Sequence, residues 1–169
     1  MKFLNYDRTK AVNYAIKWAK SRNPAYYDFT NIGGDCTNFV SQCICAGTDV
    51  MNYTPIIGWY YLSSQNRSAS WTDVDYLYNF LTKNIVLNKV GNGSGPFAEE
   101  VTADSIMLGD VIQLANTPSD YTHSLIVVGF KGTTPLVASH SYDTLFKPIN
   151  AYSQPFKRYL HIMGARGLE

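Results

Sequence analysis

The hydrophobic pattern of the sequence changes its period at about residue 85. Before that point, apolar residues recur three or four positions apart, which is typical of amphipathic helices. We expect one helix that is capped by Asp7 and ends before Asn23, a second from Asp35 to a left-handed Gly47, and a third that begins near Asp73. The first half of the chain is therefore predicted to be helical.

Beyond residue 85 the apolar runs are short and rich in β-branched residues, which favours strands. They cover residues 109–115, 123–130, 135–140 and 158–163. The turn-rich segments before and after 123–130 are short enough to join antiparallel neighbours, and the glycine-rich stretch 90–97 is expected to be a loop or a flexible insertion. Helices followed by such strands predict an α+β fold, with N-terminal helices packed on a C-terminal antiparallel β-sheet.

Length, charge and cysteine content restrict the possible functions. A chain of 169 residues forms about one domain, and we expect a monomer. Its net charge is +1 and its basic residues are scattered, so neither a nucleic acid nor a membrane surface is an expected partner. We see no apolar run long enough for a membrane span and no export signal. Three cysteines cannot build a disulfide framework.

One cysteine lies in the stretch GGDCTNFVSQC, at the expected first turn of the second helix. The helix terminus favours the thiolate of Cys36 by about 0.3–1 kcal/mol, whereas one pKa unit corresponds to about 1.4 kcal/mol. The helix alone would leave the thiol mostly protonated at neutral pH, so we expect an imidazolium partner. The adjacent Asp35 opposes ionisation, and we expect its charge to be used in capping the helix.

The sequence has three histidines that could be this partner. His123 begins the second strand run, where its side chain can reach a groove, and we expect it to be the base. His140 ends the next run, so a hairpin would bring the two rings to the same end, where His140 could orient His123 by hydrogen bonding. Asp143 is the alternative for that role. His161 has no such neighbour and is expected to be structural.

Structural explanations compete with these assignments. A free cysteine at the first turn of a capped helix is also common as a buried packing residue, so the residues alone leave both interpretations of Cys36 open. Cys43 and Cys45 lie within an apolar helix and are expected to pack. The absence of a CxxC pair argues against a metal site. Trp59 and Trp71 are interpreted as walls of a substrate groove.

Five segments, taken in order, resemble the putative amidase domain family of bacterial and phage cell-wall proteins: Tyr6–Phe29, GGDCTNFVSQC, GDVIQ, HSLIVVG and SH. The similarity extends from about residue 6 to 162. That family is in turn similar to the CHAP and NlpC-type peptidoglycan hydrolases, which have a papain-like fold. The resemblance implies a single catalytic domain over residues 1–169, with Cys36 as nucleophile, His123 as base and His140 as the third residue.

The resemblance also implies that the protein acts at the cell wall and needs neither a metal nor a cofactor. The substrate would be peptidoglycan, cleaved between N-acetylmuramate and L-alanine or within a peptide. The Cys36 N–H and a second donor, with Asn31 as a candidate, would bind the oxyanion. We expect either the catalytic domain of a phage endolysin, made without a signal peptide and followed by a wall-binding module, or a secreted protein with its signal removed. A transglutaminase-like acyltransferase and a non-catalytic wall-binding domain are the alternatives.

Overall fold

The computed structural model describes residues 1–84 and 93–168, and within them it has an α+β fold with four α-helices and a seven-stranded antiparallel sheet. The helices are α1 Arg8–Trp18, α2 Cys36–Thr48, α3 Ala69–Thr72 and α4 Val74–Lys83. The strands are β1 Lys2–Leu4, β2 Gly95–Val101, β3 Val111–Ala115, β4 Tyr121–Lys131, β5 Thr134–Ser139, β6 Thr144–Pro148 and β7 Phe156–Gly167. The predicted fold class is therefore confirmed as α+β.

The three predicted helices correspond to α1, α2 and α4. The carboxylate of Asp7 accepts from the Lys10 N–H at 3.0 Å, and that of Asp73 accepts from the Tyr76 N–H at 3.0 Å. Both aspartates therefore cap their helices as expected. Among the described residues, no helix is both long enough and apolar enough to span a bilayer.

Both ends of α2 differ from the prediction. The Asp35 side chain makes no capping hydrogen bond, because it binds other partners that are described below. The left-handed residue at the other end is Asp49, with φ +54°, and not Gly47. Gly47 lies within the helix, where a side chain would collide with the Tyr6 ring. Close packing rather than backbone conformation therefore explains this glycine.

The sheet contains the four predicted strands and three that were not predicted. The strand order is β1-β7-β3-β4-β5-β6, and β2 also pairs with β7. The short strands β1 and β6 lie at the two ends of this order, and β2 begins inside the stretch that was expected to be a loop. Residues 90–92 of that stretch are outside the described residues. From Gly95 onward the loop prediction is wrong, because the chain pairs with β7.

Alternating side chains of β4 enter two different cores. Ile126 and Val128 pack with Phe39 and Val40 of α2. Leu125 and Val127 pack on the other face of the sheet, in a cluster with Ile112, Leu114, Val137 and Ile149. Successive side chains of a strand point to opposite faces, so every residue of β4 is assigned to the helical face or to the outer face by its position. This alternation decides where the histidines lie.

Candidate active site around Cys36

Cys36 is the first residue of α2 and lies at the rim of a pocket of about 250 Å³. Gly33 and Gly34 precede it with φ angles of +82° and +100°. L-residues with side chains rarely adopt that conformation, so the two glycines allow the chain to turn sharply into the helix. Thr37 and Tyr121 also line the pocket. The side chain is 8% exposed, so the sulfur borders the pocket without projecting into it.

Several donors surround the Cys36 sulfur. The Thr37 hydroxyl lies 3.8 Å from it. Burial raises the pKa of the Cys36 thiol, although hydrogen bonds from the backbone N–H groups of Ser124 and Thr37 and from the Thr37 and Ser141 hydroxyls lower that pKa in part. Because the pKa is raised on balance, the thiol is the resting form. The expectation of a thiolate paired with an imidazolium is therefore wrong for this structure.

His123 lies on the outer face of the sheet, on the same side as Leu125 and Val127. Its Nε2 is 3.1 Å from the Ser139 hydroxyl on β5. Burial, together with the nearby Lys147 ammonium, lowers the pKa of His123 from its ordinary value of 6.5 to about 4. The ring is therefore neutral at neutral pH and can accept a proton, but it is not the expected imidazolium.

The backbone of β4 brings His123 near Cys36, but among the described residues no hydrogen bond joins the two side chains. Ser124, the next residue, has its N–H directed at the Cys36 sulfur and its hydroxyl 3.0 Å from the Thr37 hydroxyl. Among the hydrogen bonds of the described residues, none joins the sulfur to an imidazole. The sequence predicted that the His123 ring would partner the Cys36 thiol. The backbone of β4 does pass Cys36, but strand alternation places the His123 ring on the opposite face of the sheet.

His140 lies on the helical face and is 2% exposed. Its Nδ1 is 2.6 Å from an Asp35 carboxylate oxygen, and its Nε2 is 2.6 Å from the Trp18 carbonyl oxygen. The ring stacks on Phe39 at 3.9 Å between centroids. Both ring nitrogens therefore face oxygen acceptors inside the protein. His140 therefore does not orient His123, as was expected; Ser139 contacts that ring instead.

Asp35 and Asp143 both take part in a cluster around Arg22. The Arg22 guanidinium contacts Asp143 at 3.0 Å and lies 3.2 Å from Asp28 and 3.6 Å from Asp35. The Phe29 N–H also donates to Asp35 at 2.8 Å. Asp143 is thus engaged by Arg22 and does not orient His123 either, and the Asp35 charge is used to bind His140 rather than to cap α2.

Three pockets meet around Cys36 and share their rim residues. The Cys36 pocket shares Thr122 with a pocket of about 370 Å³ that contains His123. It shares Gly34 with a pocket of about 540 Å³ that contains Asp35 and His140. Ser141 lines both of these neighbouring pockets. The arrangement is a branched groove in which Cys36 lies beside the junction. Asn31, expected as an oxyanion donor, is exposed and has no hydrogen bond to Cys36 among those of the described residues.

Trp59 and Trp71 do not line this groove, so their assignment as substrate-binding residues is wrong. Both are fully buried, with ring centroids 4.6 Å apart. The Trp59 indole N–H donates to the Ser41 hydroxyl at 3.2 Å, and that of Trp71 donates to the Asn38 side-chain oxygen at 2.9 Å. Each indole thus has its polar atom satisfied inside the core against α2.

Several site residues were not predicted from the sequence. Ser139 and Ser141 flank His140, and their hydroxyls serve different residues, His123 and Cys36. Lys147 comes from a strand that was not predicted. No sequence pattern predicts the role of Ser141, because β5 ends at Ser139 and its alternation does not extend to Ser141. Among the described residues, no group of three His, Cys, Asp or Glu side chains is arranged to hold a metal ion.

Comparisons with known proteins agree with the family suggested by the sequence. The family model described as "Putative amidase domain" matches residues 5–163. "Uncharacterized protein YhbB" of Bacillus subtilis (strain 168) is 36% identical over 144 residues, which cover 82% of this chain and 42% of that protein. The chain thus spans less than half the length of this relative. No solved structure matches the chain. The family model covers nearly the whole chain, so the protein belongs to the putative amidase domain family, whose name indicates hydrolysis of amide bonds.

Proposed function

We propose that the protein is a cysteine-dependent hydrolase that cleaves an amide bond of bacterial peptidoglycan, with Cys36 as its nucleophile. Family membership supports the amide substrate. The observation that carries the proposal is the position of the sulfur, which borders a pocket of about 250 Å³ at the start of α2 and lies within reach of two backbone N–H groups. The resemblance to the CHAP and NlpC-type enzymes supports the peptidoglycan substrate and a papain-like fold.

The base is assigned by elimination among the three histidines. Both ring nitrogens of His140 are engaged, by Asp35 and by the Trp18 carbonyl, and His140 does not line the Cys36 pocket. His161 binds Asp110 at 2.8 Å and does not line the Cys36 pocket. His123 is neutral at pH 7 because its pKa is about 4. It therefore serves as the base, and Ser139 holds its Nε2.

The reaction begins with the neutral thiol. A water entering the groove would relay the Cys36 proton to His123, because among the described residues no hydrogen bond joins the two side chains. The sulfur bonds to the amide carbon, and the C–N bond breaks as the departing amine takes the proton from His123. Water then attacks the thioester, with His123 as base, and releases the carboxylic acid and the free thiol. The Cys36 N–H, unpaired at the helix start, stabilises the oxyanion.

The test is digestion of purified peptidoglycan by the wild type and by Cys36→Ala, with Cys45→Ala as a matched cysteine control. Cys45 is partly buried in the middle of α2 and does not line the Cys36 pocket. We expect Cys36→Ala to lose at least about 1,000-fold in rate and Cys45→Ala to retain activity. Product masses identify the cleaved bond, either N-acetylmuramoyl-L-alanine or a peptide bond. Equal rates for wild type and Cys36→Ala would remove the nucleophile.

The base has a separate test. His123→Gln should lower kcat by about 100- to 10,000-fold, while the rate of Cys36 alkylation by a small reagent should change much less because the thiol is already neutral. Unchanged kcat in His123→Gln would contradict the assignment.

The two alternative functions are tested in the same assay. Incorporation of a labelled primary amine into the product would indicate an acyltransferase. Sedimentation of the protein with walls, without product release, would indicate a binding domain.

A phage endolysin is the biological setting that we propose, with this chain as its catalytic domain. The basis is the resemblance to bacterial and phage cell-wall proteins. Addition of purified protein to isolated walls and to intact cells tests it: an endolysin domain clears the walls, and a separate wall-binding module fused after residue 169 should increase the rate on intact cells. No increase on fusion would argue against an endolysin architecture.

A further inference from the structure

The pocket beside His123 is polar and has one charged residue in its lining. It has a volume of about 370 Å³. We call this cavity the Lys147 pocket. It is lined by Thr122, His123, Ser141, Tyr142, Thr144, Lys147, Ala151, Tyr152, Ser153 and Gln154. None of them is acidic, and His123 is neutral at pH 7. The Lys147 pocket therefore carries a net positive charge from one ammonium group.

Lys147 is held in this pocket without a counter-ion. It is partly buried on β6, and its Nζ lies 4.0 Å from the centroid of the Tyr152 ring. No ion pair joins it to any carboxylate within residues 1–84 and 93–168. Arg8, Arg22 and Arg158 are also partly shielded from solvent, and each of these pairs with an aspartate. Lys147 differs from them in lining a cavity without a carboxylate partner among the described residues.

We propose that the Lys147 pocket binds a carboxylate group of the substrate. This inference rests on the proposed function, because the pocket joins the Cys36 pocket at Thr122 and would hold a part of the substrate next to the cleaved amide. A carboxylate complements the partly shielded ammonium, and the Ser153 hydroxyl, which also lines the pocket, offers an additional donor. An amide or an alcohol at the same position would leave the ammonium without a counter-ion.

Carboxylate binding would also change the base. Burial and the Lys147 ammonium lower the pKa of His123. The other groups around the ring are the Ser139 hydroxyl from β5 and Tyr152, whose pKa is raised by burial and which stays neutral. Lys147 is therefore the charged group that acts on the ring, and a bound carboxylate would offset it. Substrate binding would then make His123 a stronger base.

Binding is tested with a matched pair of probes, N-acetyl-alanyl-alanine with a free carboxylate and its C-terminal amide, on the Cys36→Ala protein so that no turnover occurs. We expect the carboxylate to bind at least about tenfold more tightly, which corresponds to about 1.4 kcal/mol. Adding Lys147→Gln should remove this preference, Lys147→Arg should retain it, and Lys131→Gln, the same charge change at the exposed end of β4, should leave it unchanged. Equal binding of the two probes, or a preference that survives Lys147→Gln, would overturn the inference.

A second readout follows the His123 ring by NMR during a pH titration. The carboxylate probe should raise the pKa of His123, the amide probe should not, and Lys147→Gln should raise it without any ligand. A His123 pKa that changes with neither the probe nor the substitution would also overturn the inference. Neither measurement requires hydrolysis. If the protein prefers the carboxylate probe but cleaves no wall amide, the carboxylate site stands and the proposed function is wrong. If the protein cleaves wall amides but shows no such preference, the proposed function stands and the carboxylate site is wrong.

Discussion

Two buried aspartates at opposite ends of α2 each bind a histidine and lie within ion-pair distance of an arginine, but they differ in how the histidine is held. Asp110 lies 2.8 Å from His161 Nδ1 and 2.7 Å from Arg8, and both of those side chains are about one-fifth exposed. Asp35 lies 2.6 Å from His140, which is 1% exposed at its side chain. The histidine of one cluster is partly open to solvent, and that of the other is almost fully buried.

The difference extends to the next residue in each chain segment. After His161, the Ile162 N–H donates back to Asp110 at 2.9 Å, so that cluster closes on itself. After His140, the Ser141 hydroxyl is directed at the Cys36 sulfur. The Asp110 cluster therefore joins β7, the start of α1 and the turn before β3. The Asp35 cluster also sets the surroundings of the thiol. The Asp110 cluster thus holds parts of the fold together at one end of α2, and the similar Asp35 cluster supports the candidate site at the other end.

The largest expected effect is that of Asp35→Ala. It would leave His140 Nδ1, the Phe29 N–H and the Asn38 side-chain amide without their buried acceptor, so we expect a loss of about 3–5 kcal/mol in the free energy of unfolding. Urea denaturation at pH 7 measures it. His140→Gln together with Asp35→Ala should lose less than the sum of the two single variants, because both remove the same hydrogen bond. A loss under about 1 kcal/mol for Asp35→Ala would mean that these hydrogen bonds contribute little to stability.

The third histidine provides the contrast, because no carboxylate accompanies His123 among its described contacts. Its pKa of about 4 lies below the ordinary 6.5, so the unfolded chain takes up the proton first as the pH falls. The stability linked to His123 is therefore complete above about pH 6.5 and decreases toward pH 4, by about 3 kcal/mol at about 1.4 kcal/mol per pKa unit.

Urea denaturation between pH 4 and 7 measures this dependence. His123→Gln should show a smaller loss of stability over that range than the wild type, because glutamine does not titrate. His161→Gln is the matched histidine control and should leave the His123 contribution in place. Identical slopes for wild type and His123→Gln would show that the ring is not desolvated in the folded protein.

A smaller effect is expected from Asp110→Ala. Arg8 and His161 can turn toward solvent when their partner is removed, so no charge is trapped. The N–H groups of Met107 and Ile162 would lose their acceptor, and we expect about 1.5–3 kcal/mol of destabilisation. The comparison with Asp35→Ala is made by urea denaturation under identical conditions. If Asp110→Ala is the more damaging of the two, solvent access does not explain the difference between the clusters.

The smallest expected effect is that of Ser141→Ala, because Ser141 follows His140 in the chain and contacts the Cys36 thiol. Ser141→Ala removes one donor from the Cys36 sulfur, which raises the pKa of the thiol further, so alkylation by iodoacetamide at pH 8–9 should slow about twofold to fivefold, a factor typical of one hydrogen bond. Mass spectrometry with Cys36→Ser as reference identifies the modified cysteine. Ser105→Ala, an exposed serine on the far side of β2, is the control. Equal alkylation rates in the two variants would show that the Ser141 hydroxyl does not donate to the Cys36 sulfur.

The local features of this chain follow from local chemistry, and these could be predicted. Asp7 and Asp73 cap their helices because a carboxylate two or three residues before an unpaired N–H needs no help from the rest of the fold. The longer strands have enough β-branched and apolar residues to be identified. β1 and β6, with three and five residues, are too short to carry a pattern and are fixed by pairing with β7 and β5.

The partners of the polar side chains could not be predicted in this way. Asp35 looked like a helix cap and instead binds His140, 105 residues away. Trp59 and Trp71 looked like groove walls, but their indole N–H groups find acceptors on α2, which allows full burial. In each case several partners were compatible with the local sequence, and long-range packing selected one of them.

The sequence by itself determined the α+β class, the position of Cys36 at the start of a helix, the position of His123 in a strand and that of His140 at the end of the next apolar run. These depend on hydrophobic period and capping, which act over a few residues. The tertiary structure decided which partners each histidine contacts, that His123 is neutral at pH 7 and which pocket each ring meets. Those properties depend on burial and on oxygen atoms brought from distant segments, and a one-residue step along β4 is enough to move a ring to the other face of the sheet.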